Sequence, residues 1–158
     1  MGIIRDINSL NPVLVNKVDK FITKCSEVGI PVFINETIRL EITQILYAFQ
    51  GRFDATDLKM NSDLYNELNR LRKKYGLYQL NDKESKRKIT WTLESSHFDG
   101  NAFDAVPMKM IKGKLILDWN PSIEILNKMG GIGEEVGLVW GGRWPSPDYF
   151  HFQLSVDK

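Results

Sequence analysis

Hydrophobic residues near the start of the chain recur at spacings of three and four, which is the pattern of one face of an α-helix. The repeating positions are Leu14, Val18, Phe21, Cys25 and Val28. Asn11 and Pro12 precede this stripe, and a capping asparagine followed by proline is typical of a helix start. Gly29 follows the stripe and suits a helix end. The pattern therefore predicts an amphipathic helix between Asn11 and Gly29.

The next segments change period. "IPVFINET", residues 30–37, is short, β-branched and aromatic, which favours a strand, whereas "LEITQILYAFQ", residues 40–50, is helical up to Gly51. Residues 53–88 are polar and charged, with one helical stripe that ends before Gly76. The stripe consists of Leu64, Leu68, Leu71 and Tyr75. We interpret residues 53–88 as a basic helical segment inserted into the core fold.

Strand patterns dominate the second half of the chain. The predicted strands are "KITWTLES" (88–95), "NAFDAVPM" (101–108), "GKLILDW" (113–119), "GLVWG" (137–141) and "YFHFQLS" (149–155). One helix is predicted from Pro121 to about Met129. We therefore expect a single α+β domain over residues 1–158, with a mainly antiparallel sheet in the second half and helices packed against it.

Composition limits the class of protein. A chain of 158 residues suits one domain, and 42% hydrophobic with 26% charged residues is ordinary for a soluble globular protein. No apolar run approaches the ~18 residues of a membrane span, so we expect no membrane insertion. The start "MGIIRDINSLNP" lacks the features of a secretory signal, which predicts synthesis in the cytoplasm. We also expect the protein to be a monomer. Cys25, the only cysteine, lies on the first apolar stripe and is expected to be a buried structural thiol.

Charge is nearly balanced overall but uneven along the chain. The net charge is +1, which argues against nucleic acid as a partner. Eight basic residues nevertheless lie between Arg70 and Lys88, against two acidic ones, Asp82 and Glu84. This cluster could be a solvated helix face or an adhesive patch for an anionic surface. A nucleic-acid binder built on it is disfavoured because the rest of the chain neutralises the charge.

The alternation of side chains along two strands, together with a turn, suggests three candidate metal ligands. In "DYFHFQL" the period of two puts Phe150, Phe152 and Leu154 on the core face and His151 on the other face, so His151 should look away from the core. Asp104 lies on a strand among small neighbours, and Gly100 permits a turn that brings His97 back towards that strand. His97, Asp104 and His151 therefore make a plausible Zn²⁺ site with an open position for water, although a structural His–Asp pair fits the spacing as well.

Asp148 lies three residues before His151. Pro145 and Pro147 make an extended strand improbable there, so Asp148 can lie at a loop end and reach a metal-bound water as a general base. No organic cofactor is required for such chemistry. The adjacent Glu134 and Glu135 point apart on a helix and are expected to form a solvated face.

Three motifs resemble a known family in its own order along the chain. Ser95, His97, Gly100, Ala102 and Asp104 fit the pattern Ser-x-His-x-x-Gly-x-Ala-x-Asp, and "WGGRWPSPDYFHFQ" resembles its partner motif. "ETIRLEITQILYAFQGR" resembles the upstream segment, with Arg39, Gln44, Leu46, Tyr47, Gly51 and Arg52 in the matching positions. The chain is similar to the zinc peptidases of the D-alanyl-D-alanine carboxypeptidase and L-alanyl-D-glutamate endopeptidase family, which includes bacteriophage endolysins.

The resemblance implies a fold and a set of roles. It implies the hedgehog/DD-peptidase-like fold, with His97, Asp104 and His151 as zinc ligands. It further implies Asp148 as catalytic base, Arg39 as the group that binds or polarises the substrate carbonyl, and Gln44 and Ser95 as substrate-binding residues. The implied reaction is hydrolysis of a peptide bond in peptidoglycan stem peptides, at the L-alanyl-D-glutamate bond, by an endolysin or autolysin that acts on the wall after release. The alternatives are D-alanyl-D-alanine hydrolysis and a non-catalytic zinc-binding module.

Two features depart from the family pattern. Residues 53–88 lengthen a connection that is short in the endolysin-like members, which leaves the identity of the cleaved bond open. Arg39 follows "ETI" in place of a glycine-aromatic lead-in, so a solvated arginine at a helix start is an alternative for this position.

Overall fold

A computed structural model describes residues 3–51, 62–90 and 95–155 of the chain. Its helices and strands, in chain order, are α1 (Pro12–Glu27), β1 (Val32–Glu36), α2 (Glu41–Phe49), α3 (Ser62–Lys74), α4 (Asp82–Ser85), β2 (Ala102–Ile111), β3 (Lys114–Leu117), α5 (Ile123–Glu135), β4 (Val139–Trp140) and β5 (His151–Gln153). Single 3₁₀ turns lie at Ile7–Ser9 and Gly141–Arg143.

Backbone contacts divide the chain into two compact units. Ile4–Ile38 and Asp99–Lys158 form one unit, called here the sheet unit, and Met1–Ile3 with Arg39–Phe98 form the other, called here the helix unit. The sheet unit contains α1, α5 and all five strands, and the helix unit contains α2, α3 and α4. No helix among the described residues is long and apolar enough to cross a membrane.

The sheet is antiparallel throughout. Its strands lie in the order β1, β2, β5, β4, and β3 forms a hairpin with the far end of β2. The predicted α+β class with an antiparallel sheet in the second half of the chain is confirmed. The predicted strand 88–95 overlaps residues 91–94, which lie outside the described part of the chain, as do Arg52 and the start of the inserted segment.

The first helix forms as its sequence predicts. The Asn11 side chain accepts a hydrogen bond from the Val13 amide, Pro12 occupies the first helical position, and Gly29 has a φ of 78° just after the helix. Leu14, Val18, Phe21 and Cys25 are its buried residues. Phe21 packs against Phe103 and Phe152, which stack on each other with ring centroids 5.5 Å apart. These rings form the centre of the sheet unit's core.

Helix α5 is longer than predicted. It continues six residues beyond Met129, through Gly130, Gly131 and Gly133, although glycine is a poor helix former. A β-carbon at Gly130 would lie 2.2 Å from the Trp140 ring, and one at Gly133 would lie 2.6 Å from the Phe152 ring. The glycines therefore let the helix lie directly on the aromatic side chains of β4 and β5, and this packing outweighs the low helix propensity.

The helix unit changes the interpretation of the basic cluster. Arg72 is fully buried; its Nε donates to the Tyr78 carbonyl at 2.8 Å, and its guanidinium lies over the Tyr78 ring. Arg70 pairs with Glu67 on the exposed side of α3. The expectation of a uniformly solvent-facing cluster from Arg70 to Lys88 is therefore wrong at Arg72. Apolar residues lie on one side of α3 and in the segment that follows it. Arg72 lies on that side of the helix, so its side chain is buried with them.

Candidate active site

The central strands bring Asp104 and His151 side by side. In the β2–β5 ladder Asp104 pairs with His151, and the neighbouring pair is Phe103 with Phe152. Because side chains alternate along a strand, the phenylalanines enter the core while Asp104 and His151 project from the other face. His151 lies on the face opposite the core, as the strand period predicts, and it is only 7% exposed there.

A β-bulge adds a second carboxylate to this face. Ile34 pairs with Ala105 and Glu36 with Asp104, so Asn35 is an extra residue in β1. A bulge of this kind turns the following side chain to the opposite face of the sheet. Glu36, buried at 4% exposure, is thereby placed beside Asp104 in the ladder. Sequence parity missed Glu36, because a strict period of two assigns it to the same face as Ile34.

Both nitrogens of the His151 ring face polar groups. Nε2 donates a hydrogen bond to Gln153 Oε1 at 2.9 Å, and Nδ1 lies 3.4 Å from Asp104 Oδ1. Burial by itself lowers the pKa of His151, but the hydrogen bond and negative charge of Asp104 outweigh it, with help from Gln153 and Asp148. The pKa of His151 is consequently raised above its ordinary value.

The loop before β5 carries Asp148, as predicted. Asp148 is exposed, and its amide donates to the Gly141 carbonyl at 3.0 Å, while its own carbonyl accepts from the His151 amide at 3.3 Å. A β-carbon at Gly141 would lie 2.6 Å from the Asp148 carbonyl oxygen, so this close approach requires glycine. Trp144 lies near His151, with ring centroids 5.0 Å apart.

Trp140 fixes the other end of this loop. Its indole Nε1 donates to the Tyr149 carbonyl at 2.9 Å, and the ring is buried at 1% exposure. The double glycine and the tryptophan of "WGGRW" thus hold the backbone on both sides of Asp148. These residues position the loop. The motif "WGGRWPSPDYFHFQ" is the sequence feature that indicated them.

In the helix unit, Arg39 is held by a chain of hydrogen bonds. Its Nη1 donates to Gln44 Oε1 at 2.7 Å, and Gln44 Nε2 donates to Thr90 Oγ1 at 3.0 Å. The guanidinium also lies over the Tyr47 ring, 5.1 Å from its centroid. Gln44 is only 1% exposed, so its amide supports Arg39 from inside the unit. Arg39 precedes α2 and is half-buried, which fits a positioned side chain better than a solvated one.

The predicted histidine turn lies in the same unit. The His97 amide donates to Ser95 Oγ at 3.3 Å, and the His97 carbonyl accepts from the Arg39 amide, also at 3.3 Å. His97 is 1% exposed. Ser95 therefore shapes the turn that carries His97, and the turn is tied to the backbone of Arg39.

The predicted site residues include a set suited to a metal. Each of the three predicted ligands, His97 in the helix unit and Asp104 and His151 in the sheet unit, offers a ligand atom that suits a metal ion. Two imidazoles and one carboxylate match the donor set of catalytic zinc sites.

Comparison with known proteins agrees with the motifs. A sequence model of the D-alanyl-D-alanine carboxypeptidase family matches residues 88–154, the stretch that contains both histidine motifs. Among solved structures, the chain resembles the L-Ala D-Glu endopeptidase ChiX of Serratia marcescens with a TM-score of 0.50 and 20% identity, over 94% of this chain and 83% of that one. That likeness supports the α+β fold. No curated protein sequence matches the chain. The family model covers less than half of the chain, so it shows what residues 88–154 are similar to.

Proposed function

We propose that this chain is a zinc-dependent peptidase that hydrolyses the L-alanyl-D-glutamate bond of peptidoglycan stem peptides. The observation that carries the proposal is the Asp104–His151 pair on the face of β2 and β5 opposite the core. The Asp148 loop is held beside this pair by Gly141 and Trp140. The structural relative ChiX is an L-Ala D-Glu endopeptidase, which supports this choice of bond.

The chemistry of the pair favours a cation. Gln153 Oε1 can only accept, so the proton of the neutral His151 ring is on Nε2, and the Nδ1 lone pair faces the Asp104 carboxylate. Two acceptors that face each other repel unless a proton or a metal ion lies between them. We propose that His97, Asp104 and His151 hold Zn²⁺, which when bound would activate water and polarise the scissile carbonyl.

The chain's own residues supply the remaining steps. Asp148 is exposed on its loop and takes the proton of the attacking water. The Arg39 guanidinium donates hydrogen bonds to the carbonyl oxygen as it becomes negative, which stabilises the transition state. Protonated Asp148 then returns its proton to the leaving amine as the carbon–nitrogen bond breaks. One water is consumed, and one carboxylate and one amine are produced.

Gln44 and Ser95, expected to bind substrate, have supporting positions. Gln44 accepts from Arg39 and donates to Thr90, so we propose that it acts by orienting the Arg39 guanidinium. Ser95 accepts from the His97 amide and acts by holding the histidine turn. Both would affect turnover through the residue that they hold.

The proposal is tested by digesting purified peptidoglycan and identifying the new amino termini by mass spectrometry. New D-glutamate or D-isoglutamine amino termini are expected, and they should disappear when zinc is chelated. Release of free D-alanine alone would instead identify a carboxypeptidase, and no product from the zinc-loaded protein would leave a non-catalytic module.

Asp148→Asn provides the test of mechanism. A positioned general base contributes roughly 10² to 10⁴ in rate, so turnover should fall by that factor while zinc content stays at the parental level. Asp19→Asn, on the exposed side of α1, is the matched control and should keep full activity. Parental kcat in zinc-loaded Asp148→Asn would show that another group accepts the proton.

We further propose that the enzyme is of the endolysin or autolysin type and acts as a monomer. The support is the similarity of its three motifs to endolysin-like peptidases. Sedimentation at working concentration tests the monomer, and lysis of cells that co-express the chain with a holin tests the endolysin role.

A further inference from the structure

Both nitrogens of the His151 ring face hydrogen-bond acceptors. Nε2 lies 2.9 Å from Gln153 Oε1, and Nδ1 lies 3.4 Å from Asp104 Oδ1. An amide oxygen only accepts hydrogen bonds, so this contact requires the proton to be on Nε2. The neutral ring then presents its lone pair at Nδ1, on the side of Asp104.

The strand geometry explains why Gln153 can do this. Gln153 is two residues after His151 in β5, so both side chains project from the same face of the sheet. Its neighbours across the ladders are Ala102 on β2 and Val139 on β4. Neither of these side chains has a polar atom, so neither can take the place of Gln153 beside the imidazole.

We infer that Gln153 is a positioning residue that selects the Nε2–H tautomer of His151 and aims Nδ1 at the metal position beside Asp104. The inference rests on the proposed function, since it assumes that His151 ligates zinc. Without Gln153 the buried ring could carry its proton on Nδ1, and it could rotate about its side-chain bonds. Both would remove the lone pair from the position where it is needed.

The expected size of the effect follows from metal sites in general. Groups that hydrogen-bond the outer nitrogen of a ligating histidine typically change metal affinity 10- to 100-fold when they are removed. The Gln153 contact is short, half-buried and made within a single strand. Its loss should therefore weaken zinc binding by about tenfold or more.

Three variants isolate the hydrogen bond. Gln153→Met keeps the length of the side chain and removes the acceptor, whereas Gln153→Glu keeps an acceptor for Nε2–H. Gln79→Met makes the same chemical change at an exposed position of the helix unit and serves as the control. Circular dichroism confirms that each variant is folded before it is measured.

Two readouts are needed besides activity. Zinc affinity is measured by competition with a chromophoric chelator, and the tautomer is read from the ¹⁵N shifts of the His151 ring in the metal-free protein, at a pH above the raised pKa. We expect Gln153→Met to bind zinc at least tenfold more weakly and to lose the Nε2–H preference. Gln153→Glu and Gln79→Met should keep both.

Two results would overturn the inference. Parental zinc affinity in Gln153→Met would show that the contact has no positioning role, and weaker binding with an unchanged tautomer would assign the loss to packing. If the parent protein itself bound no zinc, the proposed function would fail, and the ¹⁵N shifts alone would then decide whether Gln153 sets the tautomer.

Discussion

Adjacent glycines in helix α5 should respond in opposite directions to the same substitution. Gly130 is buried against Trp140, whereas Gly131 is exposed and a β-carbon there would meet nothing within 4 Å. Alanine is favoured over glycine by up to about 1 kcal/mol in a helix interior. Gly131→Ala should therefore stabilise the protein by about 0.5 to 1 kcal/mol.

Gly130→Ala gains the same helix propensity but meets the Trp140 ring. The added methyl group would lie 2.2 Å from two ring carbons, where carbon atoms pack at about 3.5 Å or more. The ring must therefore retreat by more than about 1 Å. Its indole nitrogen is bonded to the Tyr149 carbonyl, and it also touches Gly142, where a β-carbon would again lie 2.2 Å away. A clash of this kind costs about 2 to 3 kcal/mol, for a net loss of about 1 to 2.

The two variants should therefore differ by about 2 to 3 kcal/mol in free energy of unfolding. Thermal unfolding followed by circular dichroism would show this as a gap of roughly 4 to 12 °C in Tm. Because Trp140 holds the Asp148 loop, Gly130→Ala should also lower turnover, whereas Gly131→Ala should not. A Gly130→Ala protein as stable as Gly131→Ala would refute the reasoning that contact with Trp140 requires glycine at this position.

Three shorter predictions concern other parts of the chain. Burial raises the pKa of the Cys25 thiol to about 12, so Cys25 should not react with a thiol reagent near pH 8 until the protein is unfolded, and rapid labelling of the native protein would contradict this. Arg72→Ala should destabilise the protein by about 2 to 4 kcal/mol through lost hydrogen bonds and ring contacts, whereas exposed Arg70→Ala should change stability by less than about 0.5, both measured by urea unfolding. If the exposed cations of residues 73–88 adhere to anionic walls, glutamine at Lys73, Lys74, Lys86 and Arg87 should reduce low-salt pelleting with walls, and glutamine at Lys20, Lys112, Lys114 and Lys128 should not.

Local sequence patterns predicted most helices and strands of the fold. They failed where contacts between residues distant in sequence determine the structure. The start of α1 was predictable because Asn11 and Pro12 act on their own neighbours. The end of α5 was not, because Gly130 and Gly133 are kept in the helix by Trp140 and Phe152, which are at least ten residues away in sequence. The burial of Arg72 likewise depends on Tyr78 and on the Leu46 carbonyl of α2.

The candidate site shows the same division. Motif spacing predicted Asp104, Asp148 and His151 as site residues, and the structure pairs Asp104 with His151 in the β2–β5 ladder. Motif spacing did not identify Glu36, which reaches the site face only through the bulge at Asn35, or the contact of Gln153 with His151, which depends on the rotamers of both side chains. Such features are set by backbone irregularity and side-chain geometry, and neither has a period in the sequence.

The raised pKa of His151 predicts opposite pH dependences for stability and for zinc binding. A histidine whose pKa is higher in the folded protein stabilises it fully below the unfolded value of about 6.5, and this contribution is lost as pH rises through the folded pKa. The metal-free protein should therefore gain Tm as pH falls from about 8 to about 5.5, above the range where carboxylates are protonated. Zinc must displace the Nδ1 proton, so the rise in Tm caused by added zinc should shrink over the same interval. Asp104→Asn removes the charge that raises this pKa and should flatten the metal-free profile. A zinc-induced rise that is the same at both ends of the interval would show that zinc does not compete with this proton, and His151 would then not be a ligand.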